Sequence, residues 1–73
     1  MGYRSIKKNK HDGIFIGLNS IASIGIDGEK LEIFYNGDDG IDIEPDSTAL
    51  IDLNNIFFKG NQDKEIEGKY ESK

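Results

Sequence analysis

Residues 21–34, Ile-Ala-Ser-Ile-Gly-Ile-Asp-Gly-Glu-Lys-Leu-Glu-Ile-Phe, decide the predicted fold. The pair Asp27-Gly28 is a strong hairpin signal, because a type I′ turn needs positive φ at both central positions. A two-residue loop there creates two cross-strand pairs on one apolar face, Ile24 with Leu31 and Ala22 with Ile33. Turn and hydrophobic pattern agree on the register. The sequence therefore predicts an antiparallel hairpin.

Further strands are predicted on both sides of this hairpin. Residues 13–18 alternate between apolar and other side chains, as a half-buried strand does. Asp38-Asp39-Gly40 suits a three-residue loop that ends in a left-handed glycine. That loop sets Ile43 opposite Tyr35 and extends the antiparallel sheet.

A helix is predicted after this sheet. Pro45-Asp46-Ser47 ends the strand, and Asp or Ser can accept hydrogen bonds from the free amides of a first helical turn. Gly60 is a suitable C-terminal stop. Between them, one helical stripe contains Ala49, Leu50, Leu53, Ile56 and Phe57. The fold class predicted is α+β, an antiparallel sheet of three or four strands with one C-terminal helix packed on it.

An all-β alternative stays open. Ala49, Ile51 and Leu53 also alternate as a strand does, and residues 56–59 could pair with 65–70 across a turn. In that case the chain would form a small all-β barrel.

The chain divides into three zones, with no internal repeat apparent between them. We expect a flexible basic arm over residues 1–12, a single folded domain over 13–59, and a charged, partly disordered tail over 60–73.

Length and composition limit the class of protein. At 73 residues without cysteine, the chain makes one small domain held by hydrophobic packing alone. It has no secretory h-region and no apolar run long enough for a membrane span, so we expect a soluble, cytoplasmic protein. Twelve Ile, eight Lys and six Asn are typical of AT-rich coding sequences, as in many bacteria and their phages.

Charge is divided along the chain. Arg4, Lys7, Lys8 and Lys10 give the first eleven residues a charge of +4, whereas fourteen acids and five Lys give the other 62 residues −9. An anionic domain of this kind repels nucleic acid. We therefore expect direct nucleic-acid binding only if the basic arm provides it.

Catalytic chemistry finds little support. The single histidine, His11, lies in the basic arm, no serine has a nucleophile-elbow context, and Ser47 fits a helix cap better. The carboxylates do not follow the calcium-loop spacing, and no glycine-rich phosphate loop is present. We therefore predict no enzyme activity, no cofactor and no metal site.

The acidic cluster predicts a recognition surface. The partner-binding residues assigned from the sequence are Asp38, Asp39, Asp42, Glu44 and Asp46. Carboxylates on one rigid face complement a basic groove, and such grooves are common in proteins that bind nucleic acid. In size and charge the chain is similar to small acidic inhibitors that occupy nucleic-acid sites. This leads us to expect a small non-enzymatic binding module, an accessory regulator or inhibitor, acting on a larger protein with a basic surface.

An apolar patch accompanies this surface in the prediction. Its residues are Phe15, Ile21, Phe34, Ile51 and Phe58. Exposed apolar patches mark interfaces, so we expect a homo-oligomer, in the simplest case a homodimer, that shields the patch. The alternative function is a small-ligand or nucleic-acid binder that uses the basic arm.

Overall fold

The computed structural model of the protein describes residues 3–73. Within this range the chain forms short strands joined by turns, without an α-helix. The strands are β1 Tyr3–Lys7, β2 Ile14–Ile16, β3 Ile21–Ile24, β4 Lys30–Phe34, β5 Ile41–Ile43, β6 Thr48–Ile51, β7 Ile56–Lys59, β8 Ile66–Glu67 and β9 Glu71–Ser72. Short 3₁₀ turns occupy Ile26–Gly28 and Leu53–Asn55.

The strands form three parallel sheets. Sheet 1 has the order β1-β4-β7, sheet 2 the order β2-β5-β8, and sheet 3 the order β3-β6-β9. Each circuit of the chain contributes one strand to every sheet and the next circuit stacks on it, which makes the fold a parallel β-solenoid. Coil 1 comprises residues 3–29, coil 2 residues 30–55 and coil 3 residues 56–73. Three coils at the strand spacing of about 4.8 Å account for a thickness of 14 Å, against a cross-section of 27 × 27 Å.

The expectation of a sequence without repeats is wrong. Residues stacked between coils 1 and 2 are 27 positions apart in all three sheets. Asn9-x-x-Asp12-Gly13-Ile14-x-Ile16 in coil 1 recurs as Asn36-x-x-Asp39-Gly40-Ile41-x-Ile43 in coil 2. Coil 3 keeps only Asn61 and Ile66 of this motif. Its spacing to coil 2 is 25 residues at β7 and β8 and 21 residues at β9.

The predicted antiparallel hairpin is also wrong, although its turn chemistry is right. Asp27 and Gly28 have φ of 65° and 79°, the positive values that the pattern required. They form a corner that passes the chain from sheet 3 to sheet 1. Ile24 therefore pairs with Ile51, one coil away, instead of with Leu31.

The second predicted loop is wrong in its turn chemistry as well, because Gly40 does not have the positive φ that the prediction required. Asp38-Asp39-Gly40 lies in the corner between β4 and β5, which belong to different sheets. Tyr35 and Ile43 are consequently not paired. Alternation with period two is compatible with either strand direction, so it left the partner undetermined.

The prediction of a C-terminal helix is wrong as well. The segment assigned to it forms β6, a 3₁₀ turn and β7. Ile51, placed on the exposed side of that helix, is 0% exposed, whereas Leu53 and Phe57 of its supposed packing stripe are 39% and 45% exposed. The all-β alternative agrees with the strand content, but the sheets are open and parallel and do not close into a barrel. Residues 56–59 pair with β4 and not with 65–70.

Isoleucine stacks build the core. Among the described residues, the buried apolar side chains are Ile16, Ile24, Leu31, Ile33, Ile41, Ile43, Ala49, Ile51 and Ile56. Ile33, Ile41 and Ile51 are fully buried, and all three belong to coil 2, which has a coil on each side. The end coils leave their inward side chains partly open, so the stability of the domain is concentrated in the middle coil.

An asparagine ladder holds the corner between sheets 1 and 2. Asn9 donates from Nδ2 to Asn36 Oδ1 at 2.9 Å, and Asn36 donates in the same way to Asn61 Oδ1 at 2.9 Å. Asn36 is 0% exposed and also donates to the Ile6 carbonyl. Because a buried amide must have its hydrogen bonds made within the protein, the repeated Asn fixes the stacking of the coils.

All three predicted zones contain strands. β1 lies in the segment assigned as a basic arm, and β8 and β9 lie in the segment assigned as a tail. Residues 1 and 2 of the arm lie outside the described residues. The domain boundaries and the flexibility of the arm stay predictions. The described part of the chain contains no helix with the length and apolar character that crossing a bilayer requires.

Candidate functional site

Carboxylates gather on the outer face of sheet 2 and on the corner that precedes it. Asp42 on β5 lies beside Glu67 on β8, since these two residues are register partners. In the corner, Asp38 stacks between His11 and Asp63, as the backbone bonds Asp38 N–H to His11 O and Asp63 N–H to Asp38 O show. We define the acidic face as Asp38, Asp42, Glu44, Asp46, Asp63 and Glu67.

The acidic face carries a strong local field. The pKa of Asp42 is raised from 3.8 to about 6, first by burial and then by the negative charges of Glu44, Asp12, Glu67 and Asp39. Like charges held in a rigid column cannot move apart, so the protonated form of Asp42 is favoured. A cation arriving at this face would relieve that repulsion.

Asp38 experiences the same effect in the corner. Its pKa is raised by desolvation and then by Asp39, Asp12 and Asp63, while the neighbouring His11 lowers it. Sheet 2 and its corner therefore act as one negative surface.

Asp39 has a different role from its predicted partners. It is 2% exposed, and its Oδ1 accepts the Lys64 N–H at 3.0 Å. Its own N–H donates to Asp12 Oδ1 at 3.0 Å. Asp39 therefore links the three coils internally and does not belong to the surface that meets a partner.

An open cleft of about 610 Å³ lies beside the acidic face, at the corner between sheets 2 and 3. Its charged lining comes from Asp42, Glu44, Asp46, Glu67 and Lys69. Coil 3 takes a shorter path here than coil 2. Asp42 pairs with Glu67, and Leu50 pairs with Glu71. Coil 2 advances eight positions between these two pairs, whereas coil 3 advances only four. The wider turn of coil 2 is left uncovered by coil 3, which creates the cleft.

Among residues 3–73, two groups of three carboxylates each offer oxygen atoms that lie within 4.8 Å of one another inside the group. They are Asp12 with Asp38 and Asp39, and Asp39 with Asp63 and Glu67. Oxygen ligands of this kind suit hard divalent cations. Asp39 is common to both groups and already accepts a backbone N–H, so we assign these groups only to the negative charge of the face.

The predicted apolar patch is divided by the fold. Phe15 on β2 and Ile21 on β3 are 62% and 87% exposed. Phe34 and Phe58 are half-buried, and Ile51 lies in the core. Leu18, between β2 and β3 and 63% exposed, was missed by sequence reasoning. Phe15, Leu18 and Ile21 thus line one stretch of coil 1, which we call the coil 1 patch.

The residues considered for catalysis are not brought together. His11 is exposed in the corner before β2. Ser47, expected to cap a helix, instead accepts the Ser20 N–H at 3.1 Å and donates to the Gly17 carbonyl, which joins coils 1 and 2. In the basic segment, Arg4 forms an exposed ion pair with Glu29 at 3.5 Å.

Sequence reasoning missed Asp63 and Glu67. They lie 25 positions after Asp38 and Asp42, so the coil repeat was the signal that could have found them. The chain matches no protein-family profile, no curated protein and no solved structure.

Proposed function

We propose that this chain is a non-enzymatic binding module, an accessory regulator or inhibitor in the cytoplasm, that docks on a larger protein through its acidic face. The observation that carries the proposal is the stacking of Asp42 beside Glu67 and of Asp38 beside Asp63. Stacked coils hold these charges at a fixed spacing, so a basic partner meets a preorganised surface.

The partner's chemistry follows from the cleft beside the face. Its carboxylates can accept hydrogen bonds from arginine guanidinium groups, which pair with carboxylates in a bidentate way. Arginine-rich surfaces are typical of proteins that bind nucleic acid. The proposed partner is a protein of this class, and the module competes there with the nucleic acid.

Self-association is part of the proposal. The coil 1 patch offers three large apolar side chains on one stretch of chain. A second copy that packs side by side on this patch would remove them from water.

Binding of an arginine-rich peptide, measured by calorimetry at low and physiological salt, tests the acidic face. The double variant Asp42→Asn/Glu67→Gln should bind about tenfold more weakly, since each lost charge removes about 1 kcal/mol or less of attraction at a partly exposed site. The matched control, Asp27→Asn/Glu29→Gln, changes the net charge equally but lies at the corner between sheets 3 and 1, and it should bind as the wild type does.

Equal weakening by both pairs would show that net charge alone attracts the peptide and would defeat the proposal. The alternative function predicts the opposite pattern. If Lys7→Gln/Lys8→Gln abolishes binding to duplex DNA at physiological salt and the acidic variants bind DNA normally, the basic segment is the functional one.

A further inference from the structure

One of the differences between the coils lies just before the first strand of sheet 2 and its equivalents. Gly13 in coil 1, Gly40 in coil 2 and Glu65 in coil 3 occupy equivalent places just before β2, β5 and β8. A Cβ on Gly13 would meet the Gly40 carbonyl oxygen at 2.7 Å, and a Cβ on Gly40 would meet the Glu65 carbonyl oxygen at 2.6 Å. Each position therefore tolerates no side chain when another coil follows.

Glu65 has a side chain at this place. A Cβ on Gly13 or Gly40 points toward the next coil, so the Cβ of the equivalent Glu65 points out of the C-terminal end. If another coil were stacked on this end, its backbone carbonyl oxygen would lie where that Cβ is. A Cβ on Gly13 would also approach the buried Ile33 of the following coil at 2.9 Å, and a Cβ on Gly40 would approach the half-buried Phe58 at 2.9 Å. The Glu65 side chain thus takes up space that the backbone and core of a further coil would need.

Apart from Glu65, several features of the two ends fit each other. In coils 1 and 2 the N–H of the ladder Asn donates to Oδ1 of the Asn one coil further, at 3.1 and 3.0 Å. A second copy stacked head to tail would offer its Asn9 to Asn61 in the same way. Its Ile14 would stack on Ile66, and its Asp12 would lie beside Lys64.

The size of such a contact is sufficient for specific association. A cross-section of 27 × 27 Å gives each end roughly 600 Å², so two ends together bury on the order of 1,200 Å². Within residues 3–73, the outer strands of each sheet pair on one side only, so their other edges would add backbone hydrogen bonds to such a contact.

We propose that the N-terminal and C-terminal ends of this solenoid are complementary surfaces for a second copy of the chain, and that the Cβ of Glu65 keeps them apart. A contact between the N-terminal end of one copy and the C-terminal end of another is heterologous and does not form a closed ring. Without Glu65, copies could therefore add one after another into an open filament. Glu65 therefore protects the protein from open-ended assembly.

Sedimentation of Glu65→Gly over a wide concentration range tests this role. The variant should form species that grow beyond any dimer made by the wild type, with a mass that rises with concentration. Glu65→Ala is the matched control, because it removes the carboxylate but keeps the Cβ, and it should sediment as the wild type does. If both variants form assemblies whose mass rises with concentration, the carboxylate and not the Cβ keeps the ends apart, and the proposal is wrong. A Glu65→Gly protein that is folded by circular dichroism but forms no larger assembly would also overturn it.

Disulfide trapping gives a second measurement, and its refuting outcome is read with Glu65 in place, so that outcome does not depend on the folding of Glu65→Gly. Phe15 and Glu67 lie on the outer face of sheet 2 in coils 1 and 3, two strand spacings apart within one molecule. In a head-to-tail stack they become neighbours, and the chain has no cysteine of its own. Mixed Phe15→Cys and Glu67→Cys proteins should form a mixed disulfide efficiently only when the Glu67→Cys protein, whose C-terminal end makes the contact, also carries Glu65→Gly. Efficient formation with Glu65 in place would refute the proposal.

Discussion

Replacement of Asp42 by Asn should stabilise the protein at neutral pH. Asp42 lies one strand spacing, about 4.8 Å, from Glu67, and at that distance two charges repel each other by about 1 kcal/mol in a water-like dielectric. The pKa of Asp42, raised from 3.8 to about 6, reports the same repulsion together with burial. A shift of about two units corresponds to at most about 3 kcal/mol, and screening at this half-buried site reduces it to about 1 kcal/mol.

The raised pKa of Asp42 determines how the stability of the protein changes with pH. Since the pKa is higher in the folded state, the folded protein binds more protons than the unfolded chain between pH 3.8 and about 6. The stabilising protonation of Asp42 is present below this window and is lost as the pH rises through it. Asn cannot ionise, so the free energy of unfolding of Asp42→Asn should exceed that of the wild type by about 1 kcal/mol above pH 6 and by almost nothing at pH 3.

Urea unfolding followed by circular dichroism at several pH values measures this difference. Carboxylates distant from Asp42 cancel when the two curves are subtracted, so the difference reports Asp42 together with its coupling to the neighbouring charges. Asp27→Asn, on the corner between sheets 3 and 1, serves as the control and should show no such rise. A difference between Asp42→Asn and wild type that stays constant from pH 3 to pH 8, or that favours the wild type at neutral pH, would refute the reasoning.

Three further results are expected. Asn36→Ala should lower the free energy of unfolding by about 3 kcal/mol in urea titrations, because it removes the buried centre of the ladder, whereas Asn9→Ala in the exposed end coil should cost about 1 kcal/mol or less. Gly40→Ala should lower the melting temperature sharply, since its Cβ would lie 2.6 Å from the Glu65 carbonyl oxygen; unchanged melting would contradict the stacking geometry. Calorimetric affinity for an arginine-rich peptide should fall as the pH drops through about 6, and this step should be absent in Asp42→Asn.

The candidate site was only partly predictable from local sequence. Asp42, Glu44 and Asp46 were assigned to one acidic surface from their closeness along the chain, and they line the cleft together. Asp39 was assigned to the same surface but is buried between coils. Nothing in its own neighbourhood distinguishes it from Asp38, because the N–H group that it accepts comes from Lys64, 25 residues later.

Local chemistry alone determined where this chain turns and which segments near Asp27-Gly28 are extended. Positive φ is needed at the same two residues whether the turn closes a hairpin or makes a corner, and side chains alternate in either case. The choice of strand partner was decided only in the tertiary structure. Parallel stacking places Ile41 between Ile14 and Ile66 and buries Ile33 and Ile51 in the middle coil. It also gives Asn36 its hydrogen bonds to the coils on either side, which a hairpin does not offer. The same stacking brings carboxylates of different coils together, since a column of charges exists only once residues 25 positions apart lie side by side.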